Sequence, residues 1–143
     1  MIDAHGLVVL EYEPGSTPTA ELAARRLGVE VARIAKSILF KSKAGSFVLV
    51  VCPGDKRIPS GVLKRLIGSK VSMADALETE RVTGFRPGGV CPFGLKGIEI
   101  LLDQDLGLYE TVFPAAGNDA TGVRTTLAQL AQVTGGRIVA FKD

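Results

Sequence analysis

Ala35-Lys36-Ser37-Ile38-Leu39-Phe40-Lys41, the break Ser42-Lys43-Ala44-Gly45-Ser46, and then Phe47-Val48-Leu49-Val50-Val51-Cys52 form the stretch that decides the fold. Two apolar runs rich in β-branched and aromatic residues, joined by a short glycine-containing loop, predict an antiparallel hairpin. Upstream, Val8–Tyr12 reads as a short strand. Thr17-Pro18 fits an N-cap followed by proline at the first helical position, opening a helix that Gly28 ends near Leu27. Downstream, Pro53-Gly54-Asp55 breaks the pattern, and Ser60 can cap a helix carrying Val62, Leu63, Leu66 and Ile67 before Gly68. Lys70-Val71 is a short strand, and Ser72 with Asp75 resembles a capping pair for a helix over Ala74–Arg81. Strands are expected near Ile98–Asp103 and Glu110–Ala115. Thr126 with Gln129 opens a helix through Val133, Gly135-Gly136 stops it, and Arg137–Phe141 closes as a strand.

Strands outnumber helices and no βαβ unit repeats, so the fold class is α+β: a mixed, mainly antiparallel, barrel-like sheet with a few helices. A chain of 143 residues is one domain, 1–143, large enough to fold without a metal or disulfide. No apolar run approaches the ~20 residues of a membrane span, and no secretory signal is evident. Two cysteines, Cys52 and Cys91, without framework spacing fit reduced thiols in a cytoplasm. With His5 as the single histidine, histidine-rich metal sites are excluded and an imidazole base is not expected. Charge is segregated along the chain. Residues 1–24 carry −4, residues 25–70 carry +9 and residues 71–143 carry −3. That basic middle suggests a polyanionic partner held on one side, although the same residues could be an ordinary solvated face.

Gly88-Gly89-Val90-Cys91-Pro92-Phe93-Gly94 is the most distinctive loop. Its glycines let backbone N–H groups approach a ligand, as a pocket wall requires, though a rigid surface turn has the same composition. Lys36 is the lone cation inside the first apolar run. Tyr12, the Ala23–Gly28 helix end, the Ala35–Phe40 segment, Thr83-Gly84-Phe85 leading into Gly88–Gly94, and Ala116-Gly117-Asn118 form an ordered series. It closely resembles the YbaK/prolyl-tRNA synthetase editing-domain family, the trans-acting aminoacyl-tRNA deacylases, from roughly Tyr12 to Phe141.

The resemblance implies hydrolysis of the ester joining a wrong amino acid to the 3′-terminal adenosine of a tRNA, with no cofactor and no metal. It implies a catalytic set of Lys36, Gly88 and Gly89. Tyr12, Lys36, Val90, Cys91, Gly94, Gly117, Asn118 and Asp119 would contact substrate. The partner implied is the 3′ acceptor end of tRNA, with an aminoacyl-tRNA synthetase as a further candidate, and neither membrane nor DNA. Cys91 departs from the family, whose relatives often carry serine or another small residue there. The chemistry is consistent with one histidine, because an aminoacyl ester beside a vicinal ribose hydroxyl is already activated. Such an enzyme positions water and stabilises an oxyanion, and backbone N–H groups do both. Lys36 is then an electrostatic and positioning group, although a strand lysine can also snorkel to water. Cys91 lacks a sequence-evident base partner, so a covalent thiol mechanism is disfavoured. The Lys41/Lys43 and Lys56/Arg57 pairs could grip tRNA phosphates. Two competing classes stay open: a non-catalytic RNA-binding module and a small-molecule-binding protein.

Overall fold

The hairpin around Lys36 is the centre of the structure. The computed structural model describes residues 8–11, 24–25, 27–85, 90–95, 97–114 and 121–141; for 8–11, 60 and 121–123 it describes the backbone alone. Strand β2 (Ile34–Ser42) pairs antiparallel with β3 (Phe47–Pro53) in a register that sets Lys36 opposite Cys52 and Leu39 opposite Leu49. On the other edge of β2, β4 (Val71–Met73) joins antiparallel and β6 (Phe113–Pro114) joins parallel. Beyond β3, β5 (Glu99–Asp103) and β8 (Arg137–Val139) add in parallel. The strand order is β4-β2-β3-β5-β8, with β6 beside β2. A separate two-stranded ribbon pairs β1 (Val8–Glu11) with β7 (Thr121–Arg124).

The sheet is mixed, as expected, and open rather than closed into a barrel. Among the described residues, antiparallel pairing within it is confined to β2 and its neighbours β3 and β4. The parallel additions arise because the connections back to β5 and β8 pass over the sheet's faces, which a hairpin pattern does not reveal.

Both faces are covered, so strand alternation sorts side chains into two cores. Helix α1 (Ser60–Ile67) lays Val62 and Leu63 on one face, against Val48, Val50, Cys52, Leu101 and Phe141. The opposite face holds Ala35, Leu39, Leu49, Val51, Ile100 and Leu102. Leu130 of α3 (Leu127–Thr134) and Val90 pack there, with Val82 of α2 (Ala76–Thr83) at the margin. Leu49, Val50, Val51, Leu101 and Leu102 have no exposed surface. Burial on both sides explains why β3 reads as an unbroken apolar run.

Local signals fare differently. Thr126 caps α3, its side chain accepting from Gln129 N at 3.1 Å. The cap of α2 is Asp75, not Ser72, because the reciprocal pair is Asp75 with Glu78. Glu78 N donates to Asp75 Oδ1 at 2.7 Å, and Asp75 N donates to Glu78 Oε1 at 3.3 Å. Ser72 instead belongs to β4, opposite Lys41. Pro59, not Ser60, occupies the cap position of α1. The strand expected over Glu110–Ala115 shrinks to Phe113–Pro114, preceded by a 3-10 helix over Gln104–Leu108. Of the helix expected from Pro18 to Leu27, Ala24, Arg25 and Leu27 are helical, and the rest lies outside the described residues.

Candidate functional site

Residues 36–38 stand out within β2. Their neighbours Ala35 and Leu39 are buried, yet Lys36, Ser37 and Ile38 are each half-exposed. The pairing pattern explains this. Strand β6 covers β2 at Ile34–Ala35, and β4 covers Phe40–Ser42, continued by Ala74 N donating to Leu39 O at 2.9 Å. Between them, Lys36-Ser37-Ile38 keeps β3 on one side and has no strand partner on the other among the described residues. Among the described residues the sheet therefore has a notch at Lys36, between β6 and β4.

Lys36 leaves β2 on the α1 face, across from Cys52. Its charge reaches that thiol. Burial pushes Cys52 up to about 12, and Asp103 pushes the same way, while Lys36 and Lys56 pull down. A thiol so far from ionising is no nucleophile at neutral pH. Next to Cys52's strand end lies a buried ion pair. Lys56 Nζ sits 2.7 Å from Asp103 Oδ2 and 3.0 Å from Asp105 Oδ2, and 5.9 Å from the centre of the Phe141 ring. Asp103 has no exposed surface. Burial works against the Lys56 charge, but hydrogen bonds and attraction from Asp103 and Asp105 prevail and hold its ammonium above its ordinary value.

Val90 approaches the same strand from the other face, buried in the cluster that contains Ala35, Leu39 and Val51. Cys91 is half-buried, Pro92 is buried, and Phe93 and Leu95 pack on that cluster. Gly94 has φ +79°, a conformation that favours glycine. Lys36 and Val90 thus lie on opposite faces of the sheet at β2. Tyr12, Gly88, Gly89, Gly117, Asn118 and Asp119 lie outside the described residues.

Sequence reasoning passed over Ser37. Its Oγ is buried on the Val90 face and has no hydrogen-bond partner among the described residues. A buried hydroxyl left without a partner costs roughly 1–3 kcal/mol. The signal available was a serine inside an otherwise apolar run beside the lone lysine. A surface groove of about 490 Å³ lies at the N-terminal end of β2, lined by Gly28–Glu30, Arg33 and Leu108–Thr111. It includes neither Lys36 nor the glycine-rich loop, and Arg33 is occupied there by Thr111 and stacked 5.3 Å over Phe113. No group of three metal-ligating side chains occurs among the described residues.

Lys36 thus offers a half-exposed cation at this edge of β2, while Ser37 and Val90 lie on the opposite face of the sheet. The profile of the aminoacyl-tRNA editing domain matches residues 14–133, which spans both motifs. The chain belongs to the aminoacyl-tRNA editing domain family. Among relatives of this editing domain, the uncharacterised protein YwhH of Bacillus subtilis is 38% identical over 125 residues, covering 87% of this chain and 79% of YwhH. EbsC of Enterococcus faecalis, provisionally ascribed Cys-tRNA(Pro)/Cys-tRNA(Cys) deacylase activity, is 26% identical over 96% of this chain and 87% of its own. A crystal structure provisionally ascribed to a trans-editing enzyme for prolyl tRNA synthetase superposes with a TM-score of 0.86 at 36% identity, covering 96% of this chain and 87% of that one. The expectation of an editing domain of the deacylase class thus agrees with its family and its fold. No helix among the described residues is long and apolar enough to cross a membrane.

Proposed function

We propose that this editing domain hydrolyses the ester of a mischarged tRNA, releasing a small amino acid from tRNA-Pro or a similar tRNA. The observation that carries the reading is Lys36, half-buried at the notch in β2 of a chain that belongs to the editing family. The 3′-terminal adenosine and its aminoacyl group would enter at the notch. Lys36 would hold phosphate or carbonyl oxygen there, and Ser37 Oγ would meet a polar group from the Val90 side. Backbone N–H groups of Gly88 and Gly89 would stabilise the oxyanion as water adds to the ester carbonyl. The vicinal ribose hydroxyl would relay the proton, so no protein base is required. Tyr12, Gly117, Asn118 and Asp119 would complete the pocket, with Val90, Cys91 and Gly94 shaping the loop. The names of EbsC and of the trans-editing structure support this substrate class. The workplace of such an enzyme is the cytoplasm, beside the synthetases that charge tRNA.

The test is Lys36→Ala. Loss of one transition-state contact of this kind lowers the rate about 10²–10³-fold. Deacylation should fall by that order while tRNA affinity changes little. Equal losses of rate and affinity would show that Lys36 only grips RNA, and the catalytic reading would fail.

A further inference from the structure

Between Asp55 and Asp75 the chain carries Lys56, Arg57, Lys64, Arg65 and Lys70 and no acid at all. The structure divides the basic residues of this region into those already paired and those facing water. Lys56 is held by Asp103 and Asp105, and Lys41 is paired with Glu78 at 3.1 Å. Lys43, Arg57, Lys64 and Lys70 are exposed and have no ion-pair partner among the described residues.

Topology puts these four in order along one face. Helix α1 packs on the face of the sheet that bears Lys36, through Val62 and Leu63 against Cys52 and Val50. It begins just after the β3 end that lies opposite Lys36, with Arg57 in the turn before it. It ends where the chain enters β4, whose Val71 pairs with Ser42 at the far end of β2. There Lys43 N donates to Lys70 O at 2.8 Å, bringing the two lysines together at the hairpin tip. The helix buries Val62 and Leu63 and turns Lys64 outward. Cations therefore run from the Lys36 end of the sheet to the hairpin tip, a distance of roughly 20 Å for the six strand steps from Lys36 to Ser42.

We propose that the outward face of α1 together with the β2–β3 hairpin tip docks the phosphate backbone of the tRNA acceptor-stem duplex. This rests on the deacylase reading, which puts the single-stranded 3′ end at Lys36. A tRNA whose terminal adenosine occupies the notch has unpaired nucleotides next to it, and its paired stem begins farther away. A row of unpaired cations leading away from Lys36 matches that order, and contacts to phosphate fix position without reading sequence. Within the +9 segment, Lys41 and Lys56 are held by acids, and Lys43, Arg57, Lys64 and Lys70 face the nucleic acid.

The test is the variant Lys43→Gln/Lys64→Gln/Lys70→Gln, all exposed positions, compared with Lys41→Gln, which lies on the opposite face of the sheet and is paired with Glu78, as a control. Uncharged tRNA binding is titrated against salt, and hydrolysis is followed on aminoacyl-tRNA and on an aminoacylated CCA trinucleotide. The triple variant should flatten the log–log salt slope by about two to three units, near one per cation removed. KM for aminoacyl-tRNA should rise tenfold or more at unchanged kcat, with trinucleotide hydrolysis untouched and Lys41→Gln silent. An unchanged slope and KM, with hydrolysis intact, would overturn the docking surface and leave the deacylase reading standing. Salt-sensitive binding lost in the triple variant, with no hydrolysis by the wild type, would support the surface and remove the enzyme. Wild-type protein that binds no tRNA would overturn the proposal.

Discussion

Replacing Lys56 by alanine leaves a carboxylate without its cation at the centre of the fold. Asp103 is fully buried, and Lys56 Nζ lies 2.7 Å from it. Removing one partner of a buried pair costs about 3–5 kcal/mol, mostly because the remaining charge has lost both water and partner. Lys56 keeps 19% of its side-chain surface exposed, so some solvent screening reaches the pair and the lower end applies. For a chain of this size about 3 kcal/mol corresponds to a fall of roughly 6–12 °C in Tm. The assay is urea unfolding followed by circular dichroism, which gives the free energy and checks that the slope is unchanged. Asp103 also accepts from Asp105 N at 2.9 Å and so caps the 3-10 helix. A second substitution should therefore be Asp103→Asn, which drops the charge and retains an acceptor. Lys56→Met/Asp103→Asn should recover at least half of the loss. A single-variant loss below about 1 kcal/mol, the range of surface pairs, would refute the burial argument. So would a double variant less stable than the single one.

Other outcomes follow from the same structure. Cys52, pushed up to about 12 from 9.0, should carry about 10³-fold less thiolate at pH 8 than an ordinary thiol. A maleimide titration of folded protein should therefore leave Cys52 unmodified until the chain unfolds; labelling of Cys52 at the rate of a free thiol would contradict its burial. Unfolding stability should decline from about pH 9 upward, because the unfolded state releases the Cys52 proton while the folded state keeps it until about 12. Lys56 acts in the same direction: its raised folded value adds stability that is complete below its ordinary 10.5 and is lost as pH rises through the folded value. A stability profile flat from about pH 8 to about pH 11 would count against both. Asp75→Ala removes the acceptor for Glu78 N and should cost about 1 kcal/mol in urea unfolding, whereas Ser72→Ala should not act through capping. Equal losses from the two would put the cap back at Ser72.

What the sequence showed and what it hid have physical reasons. The β2–β3 hairpin was legible because two apolar runs flank a loop too short for anything but an antiparallel return. Helix ends were legible where one residue determines them, as at Thr126 and at Gly135 with φ +70°. Parallel pairing of β5 and β8 was not, since contacts between distant segments leave no local mark. Lys36 stood out because a cation in an apolar strand is unusual, but its lack of a partner strand beside β3 among the described residues depends on where β4 and β6 pair along β2. Pairing of cations was hidden for the same reason. Lys56 and Lys41 looked like phosphate ligands in sequence, yet each is occupied by an acid 37 or more positions away. Asp103 gave no sign of its burial, because an aspartate ending an apolar strand usually begins a turn.

Hydrolysis of mischarged tRNA at Lys36 is tested most directly by amino-acid release from tRNAs charged with alanine, serine, threonine or cysteine. The wild-type protein should rapidly release one of these, and Lys36→Ala should lose that release while tRNA binding persists. Release from none of them, with salt-sensitive tRNA binding intact, would contradict it and make the chain an RNA-binding module.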